Sequence, residues 1–217
     1  MIQIFISGAS ITYGVGSADG GWADMVKRYL HKRQYGESGE GSEHYEVYNF
    51  AKPGATVEEV RDSMTTDVGL RRRQGEKSII ILSVGMNNAK CINSPNSYVS
   101  TIDSYKTSLN ELLGTARNIT DNVIFVGYTP VDEKLTAPRI SPLTGEQVYF
   151  FNNRIKEFNS ICKAVCGEME VIYVDIFDKA NTEGWKDFLV DGVHPNVDGH
   201  GWIFNQLKPY LERAIQS

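Results

Sequence analysis

Ser10 follows the apolar run Ile2, Ile4, Phe5, Ile6 by way of the small residues Ser7, Gly8 and Ala9. A strand that runs into small residues and then a serine presents the hydroxyl at the strand's carboxyl end, where open α/β sheets place their ligands. The stretch alone also reads as a tight turn. Two distant segments favour chemistry: Asp191-Gly192-Val193-His194 near the other end, and Gly85-Met86-Asn87-Asn88 after a central apolar run. A serine hydroxyl attacks poorly until a base takes its proton, and the base needs a third group to hold its tautomer and stabilise its charged form. His194 suits the base and Asp191 the third group, because Asp-x-x-His on a turn lets the carboxylate reach Nδ1 and leaves Nε2 for the serine. Attack on a carbonyl also develops negative charge on its oxygen, which calls for fixed donors. The backbone N–H groups of Ser10 and Gly54 and the side-chain amide of Asn87 are the candidates.

These residues need elements to carry them. After the first strand, Trp22, Met25, Val26, Tyr29 and Leu30 fall on one helical stripe. Residues 36–44, Gly, Ser and Glu-rich, predict an exposed loop, and Val47 to Phe50 a second strand. Thr56-Val57-Glu58-Glu59 has the form of a capping box, opening a helix with Val57, Val60, Met64 and Val68 inward. Ser78 to Val84 is nearly continuous and β-branched, as in a strand buried on both faces. A long amphipathic helix follows through Ile102, Tyr105, Leu109, Leu112, Leu113 and Ala116, then a strand over Val123 to Tyr128. Thr129 to Val148 has three prolines and no clean period, and reads as a long loop beside the cleft that selects substrate, with Asp132, Lys134 and Arg139 offering polar contacts. That polarity favours a polar, short-chain or carbohydrate ester over a long lipid. A helix through Phe151, Ile155, Phe158, Cys162 and Val165, a strand over Val171 to Ile176, and a last helix through Ile203, Leu207, Tyr210, Leu211 and Ala214 complete the chain. Pro209 is expected to kink or restart that last helix.

Strands and helices alternate from residue 1 to residue 217 with no linker, repeat or low-complexity tract, which predicts a single α/β domain. Parallel neighbours need right-handed helical crossovers. The expected fold is therefore a flavodoxin-like three-layer α/β/α sandwich around a five-stranded parallel sheet of order 2-1-3-4-5. That order brings the ends of strands 1, 2 and 3 together at the topological switch, with Ser10, Gly54 and Asn87 on them.

The blocks G-A-S-I-T around Ser10, N-F-A-x-P-G around Gly54, G-M-N-N around Asn87 and D-G-V-H-P-N around His194 resemble the four blocks of the SGNH (GDSL-type) hydrolases, in the family's order and across nearly the whole chain. The resemblance implies a serine hydrolase that cleaves carboxylic esters, of esterase, lipase or deacetylase type, through an acyl-enzyme on Ser10. It implies His194 as base, Asp191 as its orienter, and Ser10, Gly54 and Asn87 as the oxyanion hole. The family's G-D-S carries aspartate where this chain has Ala9, and its G-x-N-D carries aspartate where this chain has Asn88. Neither replaces a triad or oxyanion group, but both touch on rate and loop rigidity.

Other readings of the same fold are an acyltransferase, a non-catalytic binding module, and a nucleotide- or flavin-binding protein. Gly14-Val15-Gly16 is the best feature of the last, yet the third glycine of G-x-G-x-x-G falls at Asp19 and no G-K-[ST] follows. No cofactor is expected, and no metal, because no histidine pair or cysteine cluster has ligand spacing. His200 is expected to be a polar residue at the start of the last helix, and His31 and His44 to lie on the surface. A net charge of −5 disfavours nucleic-acid partners. Three sparse cysteines fit a reducing compartment, with Cys162 and Cys166 packed in the core. With no apolar span and no leader-like segment before Ile2, the expected location is the cytoplasm. The expected partner is a small ester, with an acylated carbohydrate as one form of it.

Overall fold

The computed structural model describes residues 1–36 and 43–217. Of the loop expected over residues 36–44, residues 37–42 lie outside the described part. In chain order, β1 (Ile2–Gly8) leads into the single turn α1 (Ser10–Tyr13) and then α2 (Trp22–Tyr35). Next come β2 (Tyr45–Asn49), α3 (Val57–Gly69), β3 (Lys77–Ser83), the short α4 (Met86–Ala89) and β4 (Cys91–Ile92). α5 (Ile102–Ile119) and β5 (Val123–Val126) precede α6 (Glu133–Thr136), β6 (Arg139–Ile140) and β7 (Gln147–Tyr149). α7 (Asn152–Glu168), β8 (Ile172–Val174), α8 (Phe177–Thr182), a 3₁₀ turn at Trp185–Phe188 and α9 (Val197–Gln216) complete the fold.

The main sheet has five parallel strands in the order β2-β1-β3-β5-β8. With the short strands of a second sheet left out of the count, this is the expected 2-1-3-4-5 order. Side chains alternate across each strand and both faces are covered, so β1 and β3 are apolar throughout their middles. Phe5, Ile80, Leu82 and Phe125 pack under α3, α5 and α7, while Ile4, Ile6, Ile79, Ile81 and Ile124 pack under α2 and α9. Cys162 and Cys166 are buried on the α7 side and Cys91 is buried in β4; all three are free thiols.

Three local features depart from the sequence reading. The stretch from Thr129 to Val148 is not a bare loop: it holds α6 and the antiparallel pair β6–β7, and β7 pairs on its other edge with β4. Strands of two or three residues are too short to show a period. α9 runs through Pro209 as one helix. The proline removes a single donor, and Leu207 and Leu211 on either side of it are buried against the sheet. His200 does begin that helix, but it is fully buried.

Candidate active site

β1 and β3 end level, with Gly8 opposite Ser83. Gly8 must be glycine, since a Cβ there would collide with Thr12 Oγ1 and the Ser83 carbonyl. The chain turns at once into α1, whose Gly14 takes φ 105° and donates its N–H to Ser10 O at 3.0 Å. Thr12 Oγ1 donates to Ser83 O at 3.1 Å, tying α1 down onto β3. Ser10 thus stands in the first residue of a one-turn helix, where backbone N–H groups have no intrahelical acceptor.

The turn that carries His194 is shaped by Asp191. Its Oδ1 accepts the backbone N–H groups of Val193 at 3.0 Å and His194 at 2.8 Å, while Oδ2 meets His194 Nδ1 at 2.7 Å. Gly192 at φ 85° permits the bend. His194 Nε2 then lies 2.9 Å from Ser10 Oγ, across 184 residues of chain. Two backbone features fix this approach: Val190 N–H donates to His194 O, and a Cβ on Gly16 would collide with the Pro195 carbonyl, so the loop after α1 abuts the histidine turn directly. Burial opposes the charge on Asp191. The bond from the His194 ring and the N–H groups of His194 and Val193 outweigh it and hold the carboxyl well below the usual carboxylate range. A carboxylate, an imidazole and a hydroxyl in this chain of contacts can pass a proton from the hydroxyl to the ring.

Asn87 is buried in α4, and its Nδ2 donates to Ala55 O at 2.9 Å, next to Gly54. One amide hydrogen is used there, and the amide has a second to donate. Gly54 sits at φ 86°. Gly54, Asn87, Ser10 and His194 all line one cleft. Asn88, at the position of the expected family aspartate, bonds elsewhere. Its Oδ1 accepts Val57 N–H at 3.0 Å, and its Nδ2 donates to Glu58 Oε2 at 2.8 Å and to Ser100 Oγ at 3.0 Å. It anchors the start of α3. Ala9 lines the cleft and offers no side-chain cap to α1.

The cleft's far wall is the β6–β7 ribbon, which contributes Arg139, Ser141, Pro142, Leu143 and Val148. Leu143 Cδ1 lies 3.0 Å from where a Cβ on Gly54 would stand. Of the polar residues expected to meet substrate there, Arg139 and Asp132 are otherwise engaged. Arg139 donates from Nη2 to Asp191 Oδ2 at 2.9 Å and from Nη1 to Asp191 O at 3.5 Å. Asp132 caps α6 and pairs with Lys186 at 3.4 Å. The sequence reading therefore missed Arg139's partner, which lies 52 residues away with no local signal to announce it. His200 Nδ1 accepts the Trp22 N–H at 3.3 Å and its Nε2 meets Val15 O at 3.2 Å, so the ring joins α9 to α2 and to the loop after α1. Burial pushes its pKa below the ordinary histidine value. Among the described residues, no group of three His, Cys, Asp or Glu side chains is placed to hold a metal ion, and no helix is long and apolar enough to cross a membrane.

Comparison with known proteins adds the family. Among curated proteins none matches the sequence. A lipase/acylhydrolase from Enterococcus faecalis has a similar fold at TM-score 0.74 and 20% identity, over 100% of this chain and 97% of that one. A lipolytic G-D-S-L family protein from Veillonella parvula aligns at 0.71 and 18% identity, over 98% and 100%. An acetyl xylan esterase from Geobacillus stearothermophilus aligns at 0.70 and 17%, over 96% and 94%. The profile of the GDSL-like lipase/acylhydrolase family matches residues 6–202. With Ser10, Gly54, Asn87 and His194 all inside that span, the chain belongs to the GDSL-like lipase/acylhydrolase family of hydrolases.

Proposed function

We propose that the protein is a serine esterase acting through a Ser10–His194–Asp191 triad. The observation that carries this reading is the unbroken contact chain, 2.9 Å from Ser10 Oγ to His194 Nε2 and 2.7 Å from Nδ1 to Asp191 Oδ2. Ser10 Oγ attacks the ester carbonyl carbon while its proton passes to His194 Nε2. The tetrahedral oxyanion is held by the Ser10 and Gly54 N–H groups and the Asn87 amide. Collapse breaks the ester C–O bond, and the departing alkoxide takes the proton from His194. Water then repeats the sequence against the acyl-serine, releasing the acid and restoring Ser10. Asp191 keeps the imidazole in the tautomer that accepts at Nε2 and stabilises it once charged.

The substrate class we assign is a small ester with a short, apolar acyl group. Ile11, Met86, Pro142, Leu143, Val148 and Phe150 give the cleft a mainly apolar lining, and Leu143 closes over Gly54. An acetyl ester fits this, on a carbohydrate like the substrate named for the Geobacillus protein or on a simpler alcohol. The test is a p-nitrophenyl ester series from acetate to dodecanoate, with intact-mass analysis after an activated organophosphonate. Activity highest on the short esters and one adduct absent from Ser10→Ala are expected. Equal labelling of Ser10→Ala would sink the triad, and a preference for dodecanoate would sink the substrate class.

A further inference from the structure

We propose that Arg139 is a positioning residue that tunes the basicity of His194 and ties its alignment to the β6–β7 ribbon; the proposal rests on the triad reading above. Asp191 Oδ2 is shared: it faces His194 Nδ1 at 2.7 Å and Arg139 Nη2 at 2.9 Å. The Arg139 side chain is 15% exposed and that of Asp191 34%, so water screens this ion pair only in part. A cation on the same oxygen draws carboxylate charge away from the imidazole, which makes the imidazolium less stable. The planar fork of Arg139 also spans Asp191, with Nη2 on the carboxylate and Nη1 3.5 Å from the Asp191 carbonyl, so one rigid group holds both side chain and backbone of the turn. Arg139 belongs to β6, and the same ribbon supplies Ser141, Pro142 and Leu143 to the cleft. Any displacement of the ribbon would therefore reach Asp191 by a direct bond.

The charged and titratable groups around His194 are few. Asp191 lies on its own turn, Arg139 reaches Asp191 from β6, His200 stands on α9, and Lys90 lines the cleft from the end of α4. The Asp132–Lys186 pair beside Gly192 is neutral as a unit. Ser10 from α1 faces the remaining ring nitrogen.

Two measurements on Arg139→Gln and Arg139→Lys test the proposal. The first is the NMR titration of the His194 ring, assigned with His194→Gln, which needs no activity and so stands or falls apart from the esterase reading. Its midpoint is expected to move upward by about half to one pH unit in Arg139→Gln, the size of one partly screened charge, and to stay near wild type in Arg139→Lys. The second is ester hydrolysis. kcat is expected to fall roughly tenfold in both variants with KM changed less than twofold, since lysine restores charge but not the planar fork. The acid limb of kcat/KM is expected to follow the NMR midpoint. A wild-type midpoint in folded Arg139→Gln overturns the proposal. If that variant does not fold, a displaced midpoint or wild-type kcat in Arg139→Lys overturns it instead.

Discussion

Asn87 and Asn88 are adjacent, and the protein uses them for different ends. The second amide hydrogen of Asn87 is proposed to meet the oxyanion, so Asn87→Ala is expected to lower kcat by about 10²- to 10³-fold with a much smaller change in KM. Steady-state kinetics on p-nitrophenyl acetate check this, and a raised KM at unchanged kcat would make Asn87 a ground-state contact. Asn88 needs both an acceptor and a donor, because it meets the Val57 N–H on one side and the Glu58 carboxylate on the other. Asn88→Asp would turn that donor into a second carboxylate. A loss of about 1–3 kcal/mol in urea unfolding at pH 7 is expected, with recovery in the Asn88→Asp/Glu58→Gln pair. If the double variant is no more stable than the single one, the repulsion argument fails. The candidate site residues were legible because each sits in local turn chemistry: small residues after a strand, a glycine-opened turn, an Asp-x-x-His. Arg139 was not, since its role depends on a partner that only the folded ribbon brings near.

At the scale of elements, the sheet was readable and the ribbon was not. Buried parallel strands announce themselves by continuous Ile and Val, as in Ile79, Ile80 and Ile81, whereas Arg139–Ile140 and Gln147–Tyr149 offer too few residues for any pattern. The same limit hid the burial of His200, because a single histidine at a helix start looks alike whether water or Trp22 stands beside it. What the ribbon does is open to test at Leu143, which is 64% exposed yet overlies Gly54. Leu143→Ala is expected to raise kcat/KM for octanoate relative to acetate by roughly tenfold, the low end of what one methylene is worth in an apolar pocket. Its exposure means that the melting temperature should barely move. An unchanged ester profile would place chain-length selection elsewhere in the cleft.

For the molecule as a whole, acid acts on two different groups in two windows. Burial holds His200 neutral in the fold, while the unfolded chain accepts a proton once pH drops below about 6.5. Stability is therefore present above that value and declines as pH falls toward the depressed folded value. Asp191 is depressed too, and as a carboxyl its contribution is kept until pH falls below about 3.9, then lost toward its folded value. Urea midpoints between pH 8 and 5 should thus slope in wild type and be flatter in His200→Asn; parallel curves would remove His200 from the account. One further consequence comes from the 184 residues that separate Ser10 from His194. Contacts this remote form after local ones, because the chain between them must be ordered first. During synthesis the sheet strands through β5 can assemble on the ribosome while the histidine turn is still unmade. On the proposed triad, the nascent polypeptide would carry its serine without a base to activate it, and hydrolysis would switch on only when the last helix docks and draws the histidine turn against the loop after α1.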